Sequence, residues 1–146
     1  MASKKEGSYR VYIDGASRGN PGPSGAGVVI RSPGGETKEV SLFLGERTNN
    51  QAEYEALIVA LRELQGLGAR KAHFFSDSEI LVKQLRAEYR IRNEGLKPLF
   101  GSVISMLSRL EAFEMDLIGR KENKRADQLA NFAIDREESL ETTRNS

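Results

Sequence analysis

Eight of the 14 glycines and three of the four prolines fall between positions 15 and 45 of this 146-residue chain. No long helix survives that density of breakers, because glycine is entropically costly in a helix interior and proline removes a backbone donor there. The first third must therefore be strands and turns, with the helices placed later. Val11–Ile13, Gly27–Arg31 and Thr37–Leu44 carry the β-branched, partly alternating runs expected of three strands. Ser32-Pro-Gly-Gly35 between the second and third suits an antiparallel hairpin. Asp14 ends the first run and is followed by Gly- and Pro-laden sequence from Ala16 to Ser24, which reads as a long ordered loop with Asp14 at its lip.

From Thr48 the period changes. Ala52, Ala56, Leu57, Ala60, Leu61 and Leu64 lie on one broad helical stripe that runs out near Gly66 and Gly68. Beyond it the pattern predicts a strand over Lys71–Ser76, helices over Ser78–Leu85 and Leu99–Leu110, a strand over Glu114–Ile118 and a helix over Lys124–Ile134. The order βββαβααβα contains a strand-helix-strand crossover and hence parallel pairing, giving an α/β fold on a five-stranded mixed sheet. One compact domain over residues 9–136 is expected, with residues 1–8 and 137–146 as disordered tails.

Composition removes several classes of function. With no cysteine, neither a disulfide framework nor a thiolate metal site nor a cysteine nucleophile is available, which suits a reducing compartment. Met1–Ser8 has no apolar segment behind its lysines, and no later window is long and apolar enough to cross a bilayer. The expectation is a cytoplasmic chain. A net charge of +1 does not mark a nucleic-acid binder by bulk electrostatics. Two local basic clusters, Arg86, Arg90, Arg92 and Lys97, then Arg120, Lys121, Lys124 and Arg125, read on their own as solvated faces.

Four acids stand where periodicity disfavours a charge or where a strand ends. Glu53 shares the apolar stripe of Leu57, Ala60 and Leu61, where a carboxylate is expensive unless paired or ligating a cation. Asp77 closes His73-Phe-Phe-Ser-Asp77 before a helix and, like its neighbour Ser78, suits an N-cap. Asp127 shares a face with Ala130 and Ile134, early in the last helix, where an acid also suits the helix dipole. Each has an ordinary structural reading, yet sites in open α/β sheets form at the carboxyl ends of strands, and parallel neighbours would bring Asp14 and Asp77 to one edge. Four carboxylates that close need compensation. Oxygen-only ligands favour magnesium or manganese, and a pair of such ions about 4 Å apart clamps the attacking and leaving oxygens of a phosphodiester.

Tyr12-Ile-Asp14-Gly-Ala-Ser-Arg-Gly-Asn20-Pro-Gly-Pro-Ser-Gly-Ala-Gly, Thr48-Asn-Asn-Gln-Ala-Glu53-Tyr-Glu-Ala-Leu, Phe75-Ser-Asp77-Ser and Asn123-Lys-Arg-Ala-Asp127-Gln-Leu-Ala-Asn131 resemble the four signature blocks of type 1 ribonuclease H. The resemblance spans roughly Tyr9 to Asp135. It implies the ribonuclease H fold, with sheet order 3-2-1-4-5 and helices on both faces. It also implies endonucleolytic cleavage of the RNA strand of an RNA/DNA hybrid. No obligate protein partner is evident in the sequence, and a monomer is expected. Asp14, Glu53, Asp77 and Asp127 would form the catalytic and metal-binding quartet, taking two magnesium ions with substrate, or manganese in their place, and leaving 5′-phosphate and 3′-hydroxyl ends. Gly15, Asn20, Asn49 and Asn50 fall where relatives contact substrate. Amides there suit a ribose 2′-hydroxyl, the group that marks RNA. Thr48 and Arg31 match positions that in relatives hold a DNA-strand phosphate, although Thr48 with Gln51 also has the form of a capping box.

Two departures from the family stand out. The histidine that many relatives carry in the loop before the last aspartate is replaced at about that place by Arg120, which can stabilise phosphate charge and cannot act as a base. The only histidine, His73, lies four strand residues from Asp77, roughly 13 Å away, so it is expected to find a local partner instead. Between Leu85 and Leu99 there is room only for a short link in place of a lysine-rich protrusion, and Arg86, Arg90, Arg92 and Lys97 would supply a reduced grip on the hybrid. Nucleotide-cradling and dinucleotide fingerprints are absent, as is a Gly-x-Ser-x-Gly elbow. The alternative from another class is a catalytically silent nucleic-acid-binding domain on the same fold.

Overall fold

A computed structural model describes residues 7–87 and 90–144. Strands β1 (Ser8–Ser17), β2 (Gly22–Arg31) and β3 (Thr37–Arg47) come first, followed by helix α1 (Asn49–Leu67) and strand β4 (Lys71–Ser76). Helices α2 (Glu79–Leu85) and α3 (Lys97–Leu107), strand β5 (Ala112–Leu117), a 3-10 turn (Arg120–Asn123) and helix α4 (Lys124–Arg144) complete the chain. The sheet order is β3-β2-β1-β4-β5, antiparallel through β1 and parallel from β1 to β4 to β5, as expected.

Alternation along the strands sends Val11 and Ile13 of β1, Val28 and Ile30 of β2 and Phe74 of β4 into one core. Tyr54, Leu57, Leu61 and Leu64 of α1 and Val103 and Leu107 of α3 close over it. The Tyr54 hydroxyl, buried in this layer, donates to Gln84 Oε1 at 2.5 Å. Helix α1 starts where its sequence says it should: Thr48 Oγ1 accepts the Gln51 N–H at 3.2 Å, and Gln51 Oε1 accepts the Thr48 N–H at 2.9 Å, a complete capping box.

Helix α4 covers the opposite face, and here the expectation about the early glycines needs correction. The loop foreseen over Ala16–Ser24 is a short turn, because β1 continues to Ser17 and β2 begins at Gly22. Asp14 is therefore in mid-strand, opposite Gly27. A Cβ on Gly27 would stand 1.9 Å from the Ala126 carbonyl oxygen, and one on Gly25 2.2 Å from that of Ala130. These glycines are strand residues that let the small-residue face of α4, with Ala126, Ala130 and Ala133 buried, lie against the backbone of β2.

The ends also differ from expectation. Ser8 already belongs to β1, and α4 runs to Arg144 rather than stopping near Ile134, so the foreseen domain limit at 136 falls inside a helix. Its last turns are held locally, with Thr142 and Thr143 hydroxyls donating to the carbonyls of Glu138 and Ser139. The remaining tail expectation, for residues 1–6 and 145–146, lies outside the described residues. Among those described, no helix is long and apolar enough to cross a membrane.

Candidate active site

The β1–β4 register pairs Tyr12 with Phe75, and two residues further along the same offset sets Asp14 level with Asp77, the residue after β4. Glu53 comes from the second turn of α1 and reaches the end of the same strand pair. Its Oε1 accepts the Gly15 N–H at 2.6 Å. That approach needs a residue without a side chain, since a Cβ on Gly15 would stand 2.2 Å from the Ala52 carbonyl. Carboxylate oxygens of Asp14, Glu53 and Asp77 lie within 4.8 Å of one another. Asp127, exposed on the first turn of α4, lines the same cleft and hydrogen-bonds Asp14. Three of the four expected acids thus form a tight cluster, and the fourth closes it from the other face of the sheet.

The cleft, about 520 Å³, is lined by these acids together with Gly15, Asn49, Asn50, Arg120 and Lys124. Asn20 sits in the β1–β2 turn, and its Oδ1 accepts the Asn49 N–H at 3.0 Å, tying the turn to the start of α1. Thr48 caps that helix. Arg31 does not join them. It stands at the far end of β2, opposite Thr37, whereas Gly22 at the near end pairs with Arg47 beside Thr48. The strand of 10 residues from one to the other spans roughly 30 Å. Arg31 instead lines a small cavity with Tyr12, Glu39 and Arg125.

Crowding and burial leave the cluster short of positive charge. Burial, then the neighbouring Glu53 and Asp77 charges, raises the Asp14 carboxyl far above the usual carboxylate range. Glu53 is raised by burial and partly relieved by the Gly15 N–H. Asp77 is raised by burial and pulled back by Arg120. Oxygen-only donors at this spacing, each made costly to ionise by the others, fit a hard divalent cation.

Carboxyls whose folded pKa lies above the unfolded value near ~4 contribute stability that is complete below that value and is lost as pH rises through the folded ones. Metal-free chain is expected to melt at lower temperature near pH ~8 than near pH ~5.5, and magnesium or manganese is expected to narrow that gap. Thermal melts with EDTA and with added metal check this.

Of the two N-cap candidates, Ser78 and not Asp77 caps α2, accepting the Leu81 N–H at 3.3 Å. The structure adds partners that local sequence did not announce: the Ser78 side chain also bonds Glu53. Buried Asn123 donates to the Ile13 carbonyl at 2.8 Å, fastening the turn before α4 to the strand that carries Asp14. Asn131 Nδ2 donates to Asp127 Oδ1 at 3.2 Å. Asn123 and Asn131 lie within the quoted signature blocks, so the amide one turn before or after an acid was the available signal. His73 has the local partner foreseen, Asp116, at 2.6 Å, and is stacked on Phe75. All four cations of the expected grip are exposed; among the described residues Arg86 is held by Met115 and Asp116 and Lys97 by Glu94. A larger groove of about 830 Å³ between β3, α1 and α3 gathers no acid cluster.

A family model described as "Reverse transcriptase-like" matches residues 12–133. The chain is 37% identical over 130 residues to a ribonuclease HI of Halobacterium salinarum, covering 88% of this chain and 65% of that one, so it spans slightly less than two thirds of that relative's length. The crystal structure of ribonuclease H1 from the same archaeon superposes with a TM-score of 0.85, at 37% identity over 88% of this chain and 98% of that chain. LC11 ribonuclease H1, solved in complex with an RNA/DNA hybrid, gives a TM-score of 0.82 at 40% identity, over 88% of this chain and 97% of that one.

Proposed function

The chain belongs to the type 1 ribonuclease H family, and from that premise we propose that it hydrolyses the RNA strand of RNA/DNA hybrids with a pair of magnesium ions, for which manganese can substitute, leaving 5′-phosphate and 3′-hydroxyl ends. The observation that carries the reading is the convergence of Asp14, Glu53 and Asp77 within 4.8 Å, with Asp127 on the same cleft. Asp14, Glu53 and Asp77 would hold the inner cation, with Asp127 completing the pair. Bound there, divalent cations supply Lewis acidity to the scissile phosphate and to the attacking water.

The protein's own contribution is positioning and charge. Glu53 is aimed by the Gly15 N–H and Ser78, so its carboxylate is fixed before any ligand arrives. Asn49 and Asn50, on the first turn of α1, offer amide donors and acceptors to a ribose 2′-hydroxyl across a minor groove. Asn20 acts on this contact by holding the Asn49 backbone. Arg120 faces Asp77 across the cleft and, always cationic, would meet a phosphate oxygen rather than accept a proton. Arg86, Arg90, Arg92 and Lys97 would grip the hybrid backbone beyond the cleft. Arg31 lies outside the cleft, at the end of β2 remote from Thr48.

Asp77→Asn tests the reading. It keeps the shape of the side chain, removes one oxygen ligand and relieves repulsion, so the variant should fold. Cleavage of a labelled hybrid is expected to fall on the order of 10³-fold in magnesium. Undiminished cleavage by the variant would remove Asp77 from the site. A folded parent protein that binds the hybrid and cuts it with neither metal would favour the silent binding domain.

A further inference from the structure

We infer that Arg18 is a positioning residue for the fourth carboxylate, Asp127, acting through the side-chain amide of Asn131; the inference rests on the ribonuclease H reading of this cleft. Arg18 stands in the β1–β2 turn, far from Asp127 in sequence, and its guanidinium reaches across to α4. It pairs with Asp135 at 2.6 Å and Glu138 at 3.2 Å, and donates to Asn131 Oδ1 at 3.4 Å and to the Asn131 carbonyl at 3.4 Å. One turn earlier on the helix, Asn131 Nδ2 donates to Asp127 Oδ1 at 3.2 Å and to the Asp127 carbonyl at 3.0 Å.

The polarity of this chain is fixed by chemistry. A guanidinium only donates and a side-chain amide has a single acceptor oxygen, so Arg18 takes that oxygen and leaves the NH₂ group to face Asp127. The amide cannot turn over without setting its NH₂ against the guanidinium and its oxygen against a carboxylate. Asp127 needs such a hold more than its partners do, since it is exposed and lies outside the tight three-acid cluster. The same turn carries Asn20, bonded to the first residue of α1, so Arg18 links the substrate side of the cleft to the carboxylate that closes it. An ion pair at this exposure contributes little by itself. Arg18 acting only through Asp135 and Glu138 would therefore be nearly silent when removed.

The experiment compares the full chain with Arg18→Ala, Asn131→Ala, the two together, and Asp135→Ala/Glu138→Ala. It reads kcat and KM on a hybrid, manganese affinity by calorimetry, melting temperature, and the side-chain amide resonances of Asn131. Arg18→Ala is expected to lower kcat and manganese affinity about three- to tenfold, the scale of one hydrogen bond, with KM and melting temperature near those of the parent. The Asn131 amide resonances should shift. Asn131→Ala should reproduce the loss, the double variant should be no worse than either, and Asp135→Ala/Glu138→Ala should retain parent kcat. Three results would each overturn the inference: unchanged kcat and manganese affinity in Arg18→Ala, multiplying losses in the double variant, or a full loss in Asp135→Ala/Glu138→Ala. If the parent cuts no hybrid, the ribonuclease reading fails, and the manganese and resonance measurements still decide whether Arg18 positions Asp127.

Discussion

Asp14→Asn is expected to abolish hybrid cleavage and, in the absence of metal, to raise the melting temperature of the chain. Both effects come from one crowded carboxyl group. Asp14 is 6% exposed, shares its surroundings with Glu53, Asp77 and Asp127, and is pushed far above the usual carboxylate range by burial first and by its acidic neighbours second. The asparagine amide fills the same space and donates to Asp127 without first taking up a proton, which the raised Asp14 carboxyl must do when the chain folds near neutral pH. A gain of roughly 1–3 kcal/mol near neutral pH is expected. The gain should shrink as pH falls, because the parent carboxyl is then protonated in folded and unfolded chains alike. Activity moves the other way, by on the order of 10⁴-fold, since Asp14 is the acid that touches all three others. Urea melts with EDTA at two pH values, beside a cleavage assay, separate the effects. A variant less stable than the parent in EDTA would show that the acids do not oppose one another.

Gly27→Ala should be among the most damaging single-methyl additions in the chain. The new carbon would sit 1.9 Å from the Ala126 carbonyl oxygen and 2.7 Å from the Ala130 nitrogen, both backbone atoms of α4. No rotamer relieves that clash; the helix itself has to move, at a cost of roughly 3 kcal/mol or more. Because Asp127 follows Ala126 on α4, whatever displaces the helix also displaces the fourth acid. The variant should lose activity at temperatures where it is still folded. Gly66→Ala is the contrasting case: it lies inside α1 with nothing within 4 Å of the added carbon, and should stabilise by about 0.5–1 kcal/mol. Melting curves of both variants check the pair. A Gly27→Ala protein that melts with the parent would mean that the glycines are not what lets α4 lie so close.

The change from breakers to a helical stripe at Thr48 makes the element order legible, and the crossover that order requires makes Asp14 and Asp77 neighbours. Glu53 was legible because a carboxylate on an apolar stripe needs a reason. The extent of β1 and β2 was not. Gly22-Pro-Ser-Gly-Ala-Gly27 has no side-chain pattern of a strand; its extended form is imposed by β1 and β3 on its two edges and by α4 lying on its face. Arg31 closes β2 where the sequence predicts; its distance from Thr48 becomes visible only through the other end of the strand, where Gly22 pairs with Arg47. The final turns of α4 lack a continuous apolar stripe, with Leu140 exposed, and no periodicity marks them. Arg18 and Asn131 meet across 113 residues of chain, and contacts of that separation have no local signature.

A metal add-back to the unmodified chain tests hybrid cleavage most directly. Protein treated with EDTA would be mixed with an RNA/DNA hybrid labelled on both strands, and magnesium or manganese then restored. RNA cuts that appear only after metal is added, carry 5′-phosphates and 3′-hydroxyls, and leave the DNA strand whole are the predicted result. Cleavage that proceeds undiminished in EDTA, or intact RNA in the presence of either metal with a folded protein, would contradict it.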